Sequence, residues 1–223
     1  PAAKYKEQQQ AQFFANLLAR MRALPQVSSA AAVSDLYLTP PGAILTWTVE
    51  GLPTPNITTG GGADAQVRAA TSEVFSTYGI PLLRGRVLTD ADTGTAPFVA
   101  VINERFVDRF FRGQELIGKR ITFSSQDGKP VWREIVGIVG NVHQEALDAD
   151  TYPEIVVPYA QRPIPTMTVL VRTKADPTSV VEAARAEVRA LDSTVPVYSV
   201  QTMRQVLSES LSARTLQSYL LGG

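Results

Sequence analysis

The strongest constraint on this fold is a change of apolar period that occurs twice, near the two ends of the chain. Over residues 4–24, Phe13, Phe14, Leu17, Leu18, Met21 and Leu24 recur three or four apart behind a Gln/Lys/Glu-rich start. That spacing makes one helical stripe. Pro25 ends it, and Val27 to Leu38 then reads as a strand. The pattern returns late in the chain. Asp176-Pro177 supplies an N-cap and a first-turn proline for a helix burying Val180, Val181, Ala184, Val188 and Leu191, and Val195 to Val200 reads as the next strand. A short echo marks both helix ends, Arg22-Ala23-Leu24-Pro25 and Arg189-Ala190-Leu191-Asp192. Two helix–strand half-units sharing one sheet follow from this.

Between them the texture is β-rich. Strands are predicted over 45–51 and 65–71, flanking a Pro/Gly/Thr loop at 53–64. A short helix over 72–78 should end on Gly79 as a left-handed cap. Phe98 to Ile102 is a compact apolar strand, and Asn103 caps a helix over 104–111. Strands at 117–124 and 131–143 enclose the turn Gln126-Asp127-Gly128-Lys129. Ile155 to Tyr159 and Met167 to Thr173 are further strands, and Thr202-x-x-Gln205 is a capping box for a last helix with Met203, Val206, Leu207 and Leu211 on its stripe. The expected class is α+β: an α/β subdomain from residues 1–82 and 150–223, carrying a β-rich insertion over 83–149.

Charge and residue chemistry argue against several functions. Lys plus Arg and Asp plus Glu are both 21, so no net field draws nucleic acid. There is no cysteine, which removes disulfides, thiolate nucleophiles and cysteine metal sites. His143 is the sole histidine; His143-Gln144-Glu145 has the H-x-E of zinc deaminases without their P-C-x-x-C half, and no G-x-S-x-G presents a serine to it. Asp90-Ala91-Asp92 starts like a calcium loop, but the twelfth position is Val101 rather than Glu. Gly60-Gly61-Gly62 lacks the Lys-Ser/Thr of a P-loop. Arg84-Gly85-Arg86 reads as a turn with solvated or ion-paired side chains, and Glu145 to Asp150 as a solvated acidic stretch. Phe106, Phe110 and Phe111 beside Arg105 and Arg109 read as one core face of a helix. No catalytic, cofactor or metal residue is assigned, and no cofactor is expected. The expected contact with a partner is Ile44, Leu45 and Trp47 in the 39–63 loop region, weighed against Trp47 packing on the domain's own core.

No run of about 18 apolar residues occurs. The chain opens PAAKYKEQQQ, without an initiator Met or an apolar signal core, and closes on Leu220-Leu221-Gly222-Gly223. It reads as a fragment cut at both ends, with an apolar stretch about to begin at the second.

An extended series of segments carries the functional expectation. Phe75 to Arg86 (FSTYGIPLLRGR) with Asp90 to Asp92 comes first, then Val101 to Glu104 (VINE) and Ile117 to Ile121 (IGKRI). Trp132 to Val142 (WREIVGIVGNV), Glu154 to Gln161 (EIVVPYAQ), Val171 to Thr173, Asp176-Pro177, Arg189 to Asp192 and Val197 to Leu207 (VYSVQTMRQVL) complete it. In order and spacing, from about residue 17 to 221, this resembles the periplasmic core domain of MacB-like and FtsX-like ABC-transporter permeases, most nearly a group abundant in Acidobacteria. Asn141 stands where that group often has Asp.

The resemblance implies a porter-like α/β subdomain with an inserted sabre-like one, on the periplasmic face of the bacterial cytoplasmic membrane. It also implies a cytoplasmic ATPase domain or subunit, a second permease copy, flanking membrane helices, and in some relatives a periplasmic adaptor. The activity implied is transmission of ATP-driven motion, in efflux or in export of lipid or lipoprotein, rather than enzymatic turnover. The competing reading is a free-standing periplasmic module that binds a small ligand or a protein.

Overall fold

A computed structural model describes residues 7–39, 42–53, 64–142 and 151–210. Helix α1 (Glu7–Ala23) leads into β1 (Val27–Val33). β2 (Ile44–Thr46), β3 (Thr48–Val49) and β4 (Asp64–Ala70) follow, then α2 (Val74–Tyr78) and β5 (Leu82–Gly85). Next come β6 (Val99–Asn103), α3 (Glu104–Phe110), β7 (Arg120–Thr122), β8 (Ser125–Gln126), β9 (Lys129–Pro130) and β10 (Arg133–Val139). β11 (Glu154–Pro158), β12 (Thr168–Thr173) and α4 (Val181–Leu191) complete the named elements, and residues 203–210 are again helical.

Ten strands form one mixed sheet in the order β12-β1-β4-β11-β6-β10-β7-β3, with β2 added on β4 and β5 on β10. β11 runs parallel to β4, and β10 parallel to β6; the other pairs are antiparallel. β1 is buried on both faces because its centre is Ala30-Ala31-Ala32. Ala30 and Ala32 pack with Leu17, Leu18 and Met21 of α1 and Val188 of α4, whereas Ala31 and Val33 pack with Val74 and Phe75 of α2. Methyl-sized side chains let helices approach both sides of one strand closely.

The β-rich stretch 83–149 contributes β6, β7 and β10 to this same sheet. Its Ile102, Phe106, Ile121 and Ile135 share a core cluster with Val67, Ile155 and Tyr159.

Local signals behave as their chemistry requires. Gly79 sits at φ 76° and its N–H caps α2. Asn103 Oδ1 accepts from the Phe106 N–H at 3.0 Å. Asp127 and Gly128, both with positive φ, turn the β8–β9 hairpin, as a two-residue primed turn demands. Asp176 accepts from the Thr178 N–H, although the first four residues after it form a 3-10 turn before α4 begins. Thr202 and Gln205 exchange the two hydrogen bonds of a capping box.

Three expected strands change. The strand expected over 27–38 ends at Val33, and Leu38 takes φ 66°. The stretch 45–51 splits into β2, which pairs with β4, and β3, which pairs with β7. Residues 195–200 form no strand. Val197, Tyr198 and Val200 are exposed and Ser199 has φ 54°, and the alternating pattern has no ladder partner among the described residues.

Candidate functional site

The split of 44–49 decides the fate of the residues expected to meet a partner. The chain crosses from β4 to β7 at this point, and Trp47 stands at the corner. Its ring lies 4.5 Å from Phe106, 4.8 Å from Phe110 and 5.6 Å from Phe111. At 1% exposure Trp47 is a core residue, and Leu45 packs partly against the same cluster. Of the three, Ile44 is the one presented to solvent, at 46% exposure.

Other sequence candidates resolve into structural roles. Arg86 and Asp92 form a two-pronged ion pair at 2.9 and 2.8 Å, and the Thr89 N–H donates to the same carboxylate at 2.8 Å. Burial would push the Asp92 carboxyl up, but the Arg86 fork and the Thr89 donors outweigh it and hold its pKa below the usual range. The calcium-like Asp90–Asp92 pattern is thus half occupied by a guanidinium, and Asp90 accepts from Ser72. Arg84 pairs with Glu115. No group of three or more His, Asp or Glu suited to a metal occurs among the described residues. His143, Gly60 to Gly62 and Glu145 to Asp150 lie outside the described residues.

One buried polar cluster escaped the sequence reading. Arg68 on β4 and Glu154 on β11 pair at 2.5 Å with side chains 0% and 3% exposed. Tyr37 donates to the Glu154 carboxylate at 3.0 Å, and its ring lies 4.4 Å beneath the Arg68 guanidinium. Arg68 Nη1 also donates to the Asp35 and Leu36 carbonyls. Tyr78 stacks edge-on to Tyr37 at 4.7 Å. Burial first, then the Glu154 charge, raises the Tyr37 phenol well above its ordinary value, so it stays a donor. An Arg and a Glu inside otherwise apolar strand runs were the available signal. This cluster is sealed from solvent and its two charges are paired, although Arg68 Nη2 is buried without a hydrogen-bond partner, an arrangement that anchors strands rather than one that meets substrate.

Among the described residues, what remains exposed and apolar is dispersed: Ile44, the Leu82–Leu83 pair on β5, Tyr152, and Val197, Tyr198 and Val200 ahead of the last helix with Met203 at its start. No described helix is long and apolar enough to cross a membrane.

This mixed sheet with helices against it is similar in fold to solved extracytoplasmic domains of ABC-type transporters. The periplasmic region of MacB from Actinobacillus actinomycetemcomitans superposes with a TM-score of 0.54 at 14% identity, over 78% of this chain and 72% of that one. The extracellular domain of the noncanonic ABC-type transporter YknZ from Gram-positive bacteria gives 0.51 at 15% identity, over 79% and 81%. The family follows from the sequence itself: residues 4–191 match the MacB-like periplasmic core domain, and the chain belongs to that family. Among curated proteins no match is found.

Proposed function

We propose that this domain lies on the periplasmic face of the bacterial cytoplasmic membrane and transmits motion. ATP hydrolysis in a cytoplasmic ATPase domain or subunit moves the permease's membrane helices. This lobe carries the displacement to a second permease copy, a periplasmic adaptor or the exported substrate. The role is mechanical, with no catalytic residue and no cofactor. The supporting observation is the seating of α1: Leu17, Leu18 and Met21 are 2–3% exposed against β1 and α4. A helix packed this densely cannot slide without moving the sheet. Ile44, exposed beside the anchored Trp47, is the residue of the 44–47 group placed to meet a partner.

The test uses the full-length permease and the absence of cysteine in this domain. Arg20 of α1 and Glu187 of α4 face each other at 3.4 Å. With Arg20→Cys and Glu187→Cys joined by a short bifunctional maleimide, a lobe that moves as one body keeps its transport rate. Loss of transport on cross-linking, while the uncross-linked double variant stays active, would mean that α1 moves against α4 and that the rigid-lobe reading is wrong.

A further inference from the structure

Where this chain buries Arg68 or Asp92, it supplies the opposite charge, as Glu154 and Arg86. Arg133 departs from that rule. It lies on β10 at 3% exposure and has no ion-pair partner among the described residues. Its Nη1 donates only to neutral oxygens, Ser124 Oγ at 3.2 Å and the Val131 carbonyl at 3.0 Å, and its Nε is buried without a partner. The guanidinium rests on aromatic faces instead, 4.4 Å from the Phe123 centroid and 5.6 Å from Phe98.

A second guanidinium attends the same ring. Arg162, in the loop beyond β11, stands 5.8 Å from the Phe123 centroid. Its side chain has no hydrogen-bond or ion-pair partner among the described residues, and it is half-buried. Asp35 is the acid whose field reaches it, without ion-pair contact. Ring quadrupoles offset part of the desolvation of two cations, but they do not neutralise them.

We propose that Arg133 and Arg162, gathered around Phe123, form a binding site for a phosphate group. The half-buried Arg162 supplies a fork of N–H donors, and the buried Arg133 supplies a second fixed positive charge at the same ring. A guanidinium fork matches phosphate oxygens in pairs. A phosphate with a free second ionisation carries between one and two negative charges near neutral pH, which suits two unpaired cations better than a single carboxylate does. Burial, and next the charge of Arg162, already pulls Arg133 down to about 10, a strain that a bound anion relieves. The phosphate is either free in the periplasm or part of a lipid headgroup.

Calorimetric titration of the 223-residue chain with sodium phosphate, ionic strength held by sodium chloride, addresses the free form. The expected result is saturable binding that weakens by about tenfold or more in Arg162→Gln and in Arg133→Met. Should Arg133→Met fail to fold, the half-buried Arg162→Gln decides alone, with its circular dichroism checked against the parent. Co-sedimentation with vesicles of phosphatidic acid, whose headgroup is a phosphomonoester, in phosphatidylcholine, against phosphatidylcholine alone, addresses the headgroup. Arg162-dependent binding in either assay supports the site and identifies the source. No saturable binding in both, or binding undiminished in Arg162→Gln, overturns it.

Discussion

Glu154 and Arg68, 86 residues apart in sequence, meet at 2.5 Å at the centre of the sheet, where neither is reached by solvent. β4 and β11 are parallel neighbours with Glu154 opposite Gln66, so the pair bridges the two strands that join the α1–β1 half to the β6–β10 half.

Removing one partner should cost far more than removing the whole group. Glu154→Gln leaves Arg68 buried without a counter-charge and is expected to destabilise the domain by about 3–5 kcal/mol. The triple variant Arg68→Met, Glu154→Leu, Tyr37→Phe removes both buried charges together with the Tyr37 hydroxyl that donates to Glu154 and should recover most of that loss. Urea unfolding midpoints compare the two; equal losses would show that the ion pair is not what holds the strands.

The Arg86–Asp92 clasp predicts a pH dependence of definite sign. The folded-state pKa of Asp92 lies below its ordinary value, so the carboxylate stabilises the fold above about pH 3.9. That contribution is lost as pH falls through the lower folded value. Asp92→Asn should therefore unfold at a lower temperature than the parent at pH 7, and the gap should narrow on acidification below about pH 4. A gap that stays constant down to pH 2 would contradict the assignment.

Trp47 is expected to behave as a core residue and Ile44 as a surface one. Trp47→Ala should cost about 3–5 kcal/mol of stability. Ile44→Ser should change stability by about 0.5 kcal/mol or less while lowering transport in the full-length permease, if Ile44 meets the partner. Chemical denaturation and a transport assay read the two effects separately.

Gly137 on β10 is expected to admit no side chain. A Cβ there would stand 2.0 Å from the Arg86 carbonyl oxygen, and one on Gly85 would stand 2.2 Å from that of Val136. Gly137→Ala should push β5 away and lower the thermal midpoint, whereas Gly113→Ala, in open space although at positive φ, should cost only about 1 kcal/mol. Thermal melts of both variants check the contrast.

Asn103 works in two directions at once. Its Oδ1 accepts from Phe106 and from the Glu154 N–H at 2.9 Å, and its Nδ2 donates to the Tyr152 carbonyl. Asn103→Ala should cost more than an ordinary N-cap, about 2 kcal/mol or above, because buried donors lose their acceptor. A loss under about 0.5 kcal/mol would mean that water replaces it.

Much of this was legible in the chain because it depends on neighbours a few residues away. The caps at Asn103 and Thr202, the left-handed Gly79 and the Asp127-Gly128 turn each close a local ring of backbone and side-chain atoms. The α1 and α4 stripes need only helical spacing. Membership in the permease family was legible for a different reason: many weak segments keep their order over nearly the whole length.

Pairing across the sheet was not legible. The run at 195–200 has the composition of a strand, yet a strand exists only where another backbone offers its N–H and C=O groups, and composition does not say whether one will. Trp47 could have faced a partner or the core until β2 and β3 were seen to pair with different strands, turning its ring onto α3. Arg68 and Glu154, or Arg133 and Arg162, are ordinary charged residues in sequence. Only tertiary structure decided which of them found an opposite charge, because electrostatic energy depends on distance in space, and the sequence orders distance only along the chain.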